Sequence, residues 1–161
     1  MKRRFFLLGA TVAPFGFSGP VWAKTAQLRL DGDFHSRVPL YLTEADLLDF
    51  PQINIETSTI WTEGVSTFSG PALSDVLAHY GAKSGDVELG GTNNYSAVVA
   101  RSLVTAQAPI IANRIDGLPF SLREKGPLWI IFPYDRSPEF QSEVVYAASV
   151  WQLTSIRVLK D

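Results

Sequence analysis

None of the 161 residues is a cysteine, so whatever this chain folds into must be held by packing. A disulfide framework is excluded, and with it the small stapled folds of many exported proteins. Also excluded are lipid attachment at an N-terminal thiol, thiolate-bound zinc, haem attachment and iron–sulfur clusters. The large side chains for a packed core are there: four Trp, ten Phe and five Tyr.

The first 23 residues read as a segment that does not join that core. Lys2, Arg3 and Arg4 form a basic start, and no acidic residue precedes Asp31. An apolar stretch from Phe5 to Phe17 follows, interrupted by Gly9, Thr11, Pro14 and Gly16, and Val21-Trp22-Ala23 offers a small-residue exit. Those three parts make an export signal cleaved near Ala23. The apolar run is shorter than the roughly 20 residues that span a bilayer, so a membrane anchor is disfavoured. Arg3-Arg4-Phe5-Phe6-Leu7 resembles the twin-arginine pattern, although Lys2 and Leu8 depart from it, and that route carries folded proteins. The expected location is periplasmic or secreted, with no membrane insertion after cleavage.

Cleavage would leave residues 24–161 with 11 Lys plus Arg against 16 Asp plus Glu, a net of −5. An acidic domain without a basic run is a poor partner for nucleic acid. Its length suits one domain with a proper core, and no repeat or linker divides it.

Residues 26–30 alternate as a strand that stops at Asp31-Gly32. Thr43 can cap a helix over 43–50, with Glu44 and Asp46 complementing its dipole. Strand periodicity over 53–61 puts Ile53, Ile55, Thr57, Thr59 and Trp61 on one face. A helix is expected over 71–81, with Pro71 in its first turn, Leu73, Val76, Leu77 and Tyr80 on one face and Gly81 closing it. Further strands are expected at 95–100, 109–115 and 127–133, the last (PLWIIFP) buried on both faces. Asp116-Gly117 and Lys125-Gly126 mark tight turns, and a last helix over 142–151 precedes a strand at 155–159. Isolated short helices among strands, without a βαβ rhythm, predict an α+β domain built on a mixed β-sheet.

Chemistry-bearing patterns are scarce. There is no G-x-S-x-G elbow, and His35 and His79 stand too far apart to share metal-ligand spacing. Both read as surface histidines. Gly90-Gly91-Thr92-Asn93-Asn94 reads as a turn between strands, and Asp135, Arg136 and Glu139 as a charged loop. No catalytic residue and no metal ligand is assigned.

From about residue 53 onward, about two thirds of the chain, four segments stand in a telling order. They are GVSTFSGPALSDVLAHYG (64–81), Asn94-Tyr95-Ser96, PIIANRIDGLPFSLREKGPLWIIFPYD (109–135) and SVWQLTSIRV (149–158). Together they resemble the sulfite-oxidase-type molybdopterin-binding domain. The resemblance implies that family's fold and, in its catalytic members, a cysteine thiolate on molybdenum before the 64–81 segment. Here Ile60-Trp61-Thr62-Glu63 occupies that place. Trp129 follows Pro127-Leu128 where the family usually has an arginine, and Val150 precedes Trp151 where it often has lysine.

Those three departures have one physical reading. A buried Arg or Lys without the pterin phosphate is an unpaired charge costing several kcal/mol. Trp and Val fill the volume with apolar surface instead, worth about 25 cal/mol per Å² buried. The expectation is therefore a non-catalytic exported module that binds a small ligand or a periplasmic or membrane-bound protein partner. No cofactor is expected, molybdopterin being implied by the resemblance alone. The alternative is a molybdopterin-dependent oxidoreductase with an atypical metal site. A third reading is a sensor accessory that reports a small molecule to a membrane protein. Candidate cleft residues are Trp61, Asn94, Tyr95, Arg101, Arg114, Trp129, Arg136 and Trp151.

Cleavage near Ala23 makes a direct prediction. The intact mass of the periplasmic protein should match a chain beginning at Lys24. A full-length mass in the membrane fraction would refute an export signal that is removed.

Overall fold

The computed structural model describes residues 27–119, 121, 123 and 125–161, so the expected signal at 1–23 lies outside the described residues. Among the described residues, ten strands and three short α-helices make a sheet-rich α+β domain, as the sequence predicts. Among the described residues no helix is long and apolar enough to cross a membrane.

The largest sheet has five strands. At its centre β1 (Leu28–Gly32) runs parallel to β10 (Leu153–Val158). Antiparallel neighbours complete it: β2 (Leu40–Leu42) outside β1, then β5 (Val87–Gly91) and β6 (Ser96–Val99) beyond β10. Leu28, Leu30, Leu89, Ile156 and Val158 are buried along it, on the period of two that a half-covered sheet requires. Gly32 ends β1 at a φ of +97°, where a Cβ would stand 2.0 Å from the Val158 carbonyl oxygen. The parallel pair thus closes on a residue without a side chain.

A second sheet pairs β3 (Gln52–Ser58) with β4 (Val65–Pro71), and β4 with the two-residue β8 (Arg114–Ile115). Ile55 and Thr57 face inward on β3, the face expected from the sequence. The strand stops at Ser58 and not at residue 61. There the Ser58 hydroxyl donates to Asp135 Oδ1 at 2.7 Å, and the chain turns away. That contact, with the Ser58 backbone N–H as the leading cause, holds the Asp135 carboxyl below its usual range.

The expected strand at 109–115 is two. β7 (Ile110–Ala112) pairs with β9 (Trp129–Ile131), while β8 joins β4. The switch falls at buried Asn113, whose N–H donates to the Ser69 carbonyl at 2.9 Å. β7 and β9 are buried at every position, as PLWIIFP predicted for β9. Gly70 on β4 permits this layering, because a Cβ there would lie 2.0 Å from the Ile111 carbonyl oxygen.

The helices are shorter than their sequence patterns. Thr43 caps α1 (Glu44–Leu48) in a capping box with Asp46, whose carboxylate accepts the Thr43 N–H at 2.7 Å. α2 runs Leu73–His79, so Pro71 is the last residue of β4 and not part of a first turn. Its Leu73 N–H donates to the Pro109 carbonyl at 2.9 Å. Buried Leu73, Val76 and Leu77 form the expected stripe, and Gly81 closes the helix at a φ of +75°. α3 covers Glu143–Ala148 from an N-cap at Ser142, and not 142–151. It ends because Ser149 turns the chain so that Trp151 bridges Trp129.

Around Ser149 the core carries a satisfied polar node. Tyr134 Oη donates to Ser149 Oγ at 2.6 Å, and Ser149 Oγ donates to the Val145 carbonyl at 2.8 Å. Trp129 Nε1 donates to the Ser149 carbonyl at 3.0 Å. Burial, the largest cause, pushes the Tyr134 hydroxyl from its usual 10.0 up to about 12.

The sign of the resulting pH dependence is fixed. Between those two values the unfolded chain has released a proton that the folded chain keeps, so stability falls as pH rises. The loss approaches about 1.4 kcal/mol per pH unit. Tyr134→Phe should remove that component while costing about 1 kcal/mol at neutral pH for the lost hydrogen bond. Denaturant midpoints of both proteins from neutral pH to pH ~12 check this, and equal alkaline slopes would refute it.

Candidate functional site

The site begins at Trp61, in the loop that joins β3 to β4. Its backbone N–H donates to Thr59 Oγ1 at 3.1 Å, and the Thr59 and Thr62 hydroxyls lie 2.8 Å apart. Lys125 Nζ donates to the Trp61 carbonyl at 3.4 Å. These ties fix the backbone, and the ring then reaches into a cluster of aromatic side chains.

Four rings meet it. Trp129, Tyr146 and Trp151 each stand 5.8 Å from Trp61, centroid to centroid, and Tyr134 stands 6.3 Å away. The interplanar angles run from 63° to 89°, the edge-to-face arrangement that aromatic quadrupoles favour. Phe68 extends the cluster into the core, 5.6 Å from Trp129 at 87°. Trp129 is buried and forms the floor, whereas Trp151 is 38% exposed at the rim.

Tyr95 supplies the opposite wall. It follows the β5–β6 turn, and its hydroxyl donates to the Ala147 carbonyl at 2.8 Å, joining that turn to the end of α3. Thr92 joins the same turn to the start of β10: its N–H donates to the Gln152 carbonyl at 3.2 Å and its hydroxyl to Gln152 Oε1 at 2.6 Å. Asn93 Oδ1 accepts the Tyr95 N–H at 3.2 Å.

The space between these walls is a pocket of about 290 Å³. Trp61, Tyr95, Tyr146 and Trp151 supply its rings, with Asn93, Ala147, Ser149 and Val150 between them. Among the described residues, none of the lining is acidic or basic. Among the described residues, no three His, Cys, Asp or Glu side chains form a group able to hold a metal ion.

The eight candidates from the sequence divide. Trp61, Tyr95 and Trp151 line the pocket, and Trp129 lies beneath it. The other four lie elsewhere. Asn94 is exposed at a φ of 60° and faces a separate polar groove with Arg29, Asp31 and Arg157. Arg101 opens the 3₁₀ turn after β6, beyond the far end of the strand that Tyr95 precedes, and its N–H donates to Asp86 Oδ1 at 2.8 Å. Arg114 on β8 pairs with Glu44 at 2.7 Å. Arg136 faces a shallow groove with Asn54, Glu56 and Asp135.

Tyr146 and Asn93 were not among the candidates. Tyr146 carried a readable signal, as a large ring on a helix next to the 149–151 segment. Glu63, the acid nearest Trp61 in sequence, is exposed and does not line the pocket. His35 and His79 are exposed as expected.

No protein-family model and no curated protein matches the chain. Among solved structures, the sulfane dehydrogenase SoxCD from Paracoccus pantotrophus is similar to it, with a TM-score of 0.63 at 18% sequence identity. The match covers 86% of this chain and 39% of that one. At this identity the likeness is one of fold, between sheet-rich α+β domains.

Proposed function

We propose that this chain is an exported, non-catalytic binding module of the sulfite-oxidase-type fold, whose aromatic pocket takes a small ligand where catalytic members take a pterin. Trp61 carries the reading. It stands where the resemblance implies the metal-binding thiolate, and its ring is the hub of the aromatic cluster. The likeness to SoxCD is compatible with that fold and brings no activity with it.

Molybdopterin does not fit the residues present. Among the described residues, the pocket lining offers no thiolate, imidazole or carboxylate to a metal and no Arg or Lys to a phosphate. A dianionic phosphate moved into such a lining would lose its hydration without gaining a partner. Arg101, Arg114 and Arg136, the cations the sequence suggested, stand in other parts of the fold. No reaction step is therefore assigned to the site. What the lining does supply is apolar ring surface with a few polar atoms, the make-up of a small-molecule pocket.

The rival reading, an oxidoreductase with an atypical metal site, separates on one measurement. Protein purified from a molybdenum-replete periplasm should carry neither molybdenum nor pterin absorption. Trp61→Cys should also fail to acquire metal, because a thiolate alone does not neutralise the pterin phosphate. Stoichiometric molybdenum in the unmodified protein would overturn the binding-module reading.

A further inference from the structure

We propose that the aromatic pocket recognises a quaternary ammonium group, a small cation that carries methyl groups in place of N–H donors. The proposal rests on the binding-module reading and names the ligand class of that pocket.

Shape is the first argument. The rings around Trp61 do not stack on it but stand nearly upright against it. Trp61 meets Tyr146 at 89° and Trp151 at 73°. Rings set nearly at right angles form the sides of a box, which suits a compact, rounded group. At about 290 Å³ the box sits at the small end of ligand pockets, too small for an extended peptide.

Charge is the second. Aromatic faces carry negative potential and attract a cation most strongly where water is excluded. Among the described residues no basic side chain lines the box itself, and the whole chain is net negative at −2. Lys125 stands close to the same cluster, its Nζ 5.6 Å from the Trp129 ring centroid. That ammonium lies against the floor residue and hydrogen-bonds the Trp61 carbonyl. One ring of the cluster, the buried Trp129 outside the lining, thus already carries a cation, and that ammonium lies near enough to be felt by a charged ligand.

Hydrogen bonding is the third and selects the kind of cation. Several acceptors of the lining are already engaged, which leaves few for a ligand that brings N–H donors. The Ala147 carbonyl accepts from Tyr95 Oη, and Asn93 Oδ1 accepts from the Tyr95 N–H. The Ser149 carbonyl accepts from Trp129 Nε1, while its hydroxyl both accepts from Tyr134 and donates to Val145. A primary ammonium would bring three donors into this lining and leave them poorly matched, at a desolvation cost. A trimethylammonium brings none and presents only methyl groups to the rings.

Calorimetric titration of the purified protein with choline, followed also by tryptophan fluorescence, tests the proposal. Three comparisons accompany it: the uncharged isostere with a tert-butyl group in place of the trimethylammonium, ethanolamine, and indole. Choline should bind, and the uncharged isostere and ethanolamine should each bind about tenfold more weakly or worse. Trp151→Ala should weaken choline about fivefold or more, with Trp151→Phe recovering most of it. Trp151 is at the rim, so circular dichroism of both variants should match the parent. Lys125→Gln should tighten choline and leave the isostere unchanged, because only a charged ligand senses the lost ammonium. Equal binding of choline and its isostere, binding of indole alone, or no choline binding would overturn the ligand class. Those outcomes leave a metal-free binding module standing, whereas stoichiometric molybdenum would defeat that module whatever choline does.

Discussion

At Ser149 the chain leaves α3, and both oxygens of that residue are engaged inside the core. Tyr134 and Trp129 donate to it, and it donates back to Val145 in the helix it has just left. In a low-dielectric interior an unpaired hydroxyl or indole N–H costs about 1–3 kcal/mol, so the three partners fix one another. The backbone follows from this. With Ser149 held, Ile130 donates to the Val150 carbonyl at 3.0 Å and Leu153 to the Leu128 carbonyl at 3.0 Å. Those two bonds lay the start of β10 along β9, and β10 is the central strand of the largest sheet.

The pocket inherits its shape from that turn. Its walls come from four places in the sequence: the loop at 61, the turn at 92–95, α3, and the segment at 149–151. Separate ties hold each one, namely Thr59 on Trp61, Tyr95 on Ala147, and Thr92 on Gln152. Rings braced in this way lose little further freedom when a ligand enters. Ordering a rotamer-rich side chain on binding costs about 0.5–1.5 kcal/mol, and a pre-set wall avoids that cost.

The parts legible in the sequence were those with a local cause. Thr43 and Asp46 announce the α1 cap within four residues, and Ile55 and Thr57 announce the buried face of β3. β4 was missed because VSTFSGP is mostly small and polar, and its strand character comes from seven pairings with β3. The break at Asn113 was equally hidden: IIANRI alternates nowhere, and only the position of Ser69 shows why the chain changes sheets. Trp61, Trp129 and Trp151 could be suspected from their place in the resemblance to a known family. That the three rings pack together while Arg101, Arg114 and Arg136 scatter follows from long-range pairing that periodicity does not encode.

The scattering of the cations explains why the pocket is neutral. Arg114 pairs with Glu44, Lys83 with Asp33, and Arg157 with Asp31 and Glu88, all on partly exposed surface. Such pairs contribute only about 0–1 kcal/mol to stability, so they are not what holds the fold. Their consequence is positional, since each pairing keeps a basic group at a distance from the aromatic box. Lys125, the basic group that does stand near the box, is tied to the Trp61 carbonyl and lies against Trp129, so an anion would have to draw it from those contacts at a desolvation cost. A cation needs no such rearrangement, because the ring faces are already in place and carry the attracting potential. The proposed preference for a cation thus has its root in the same packing that closes the core around Ser149.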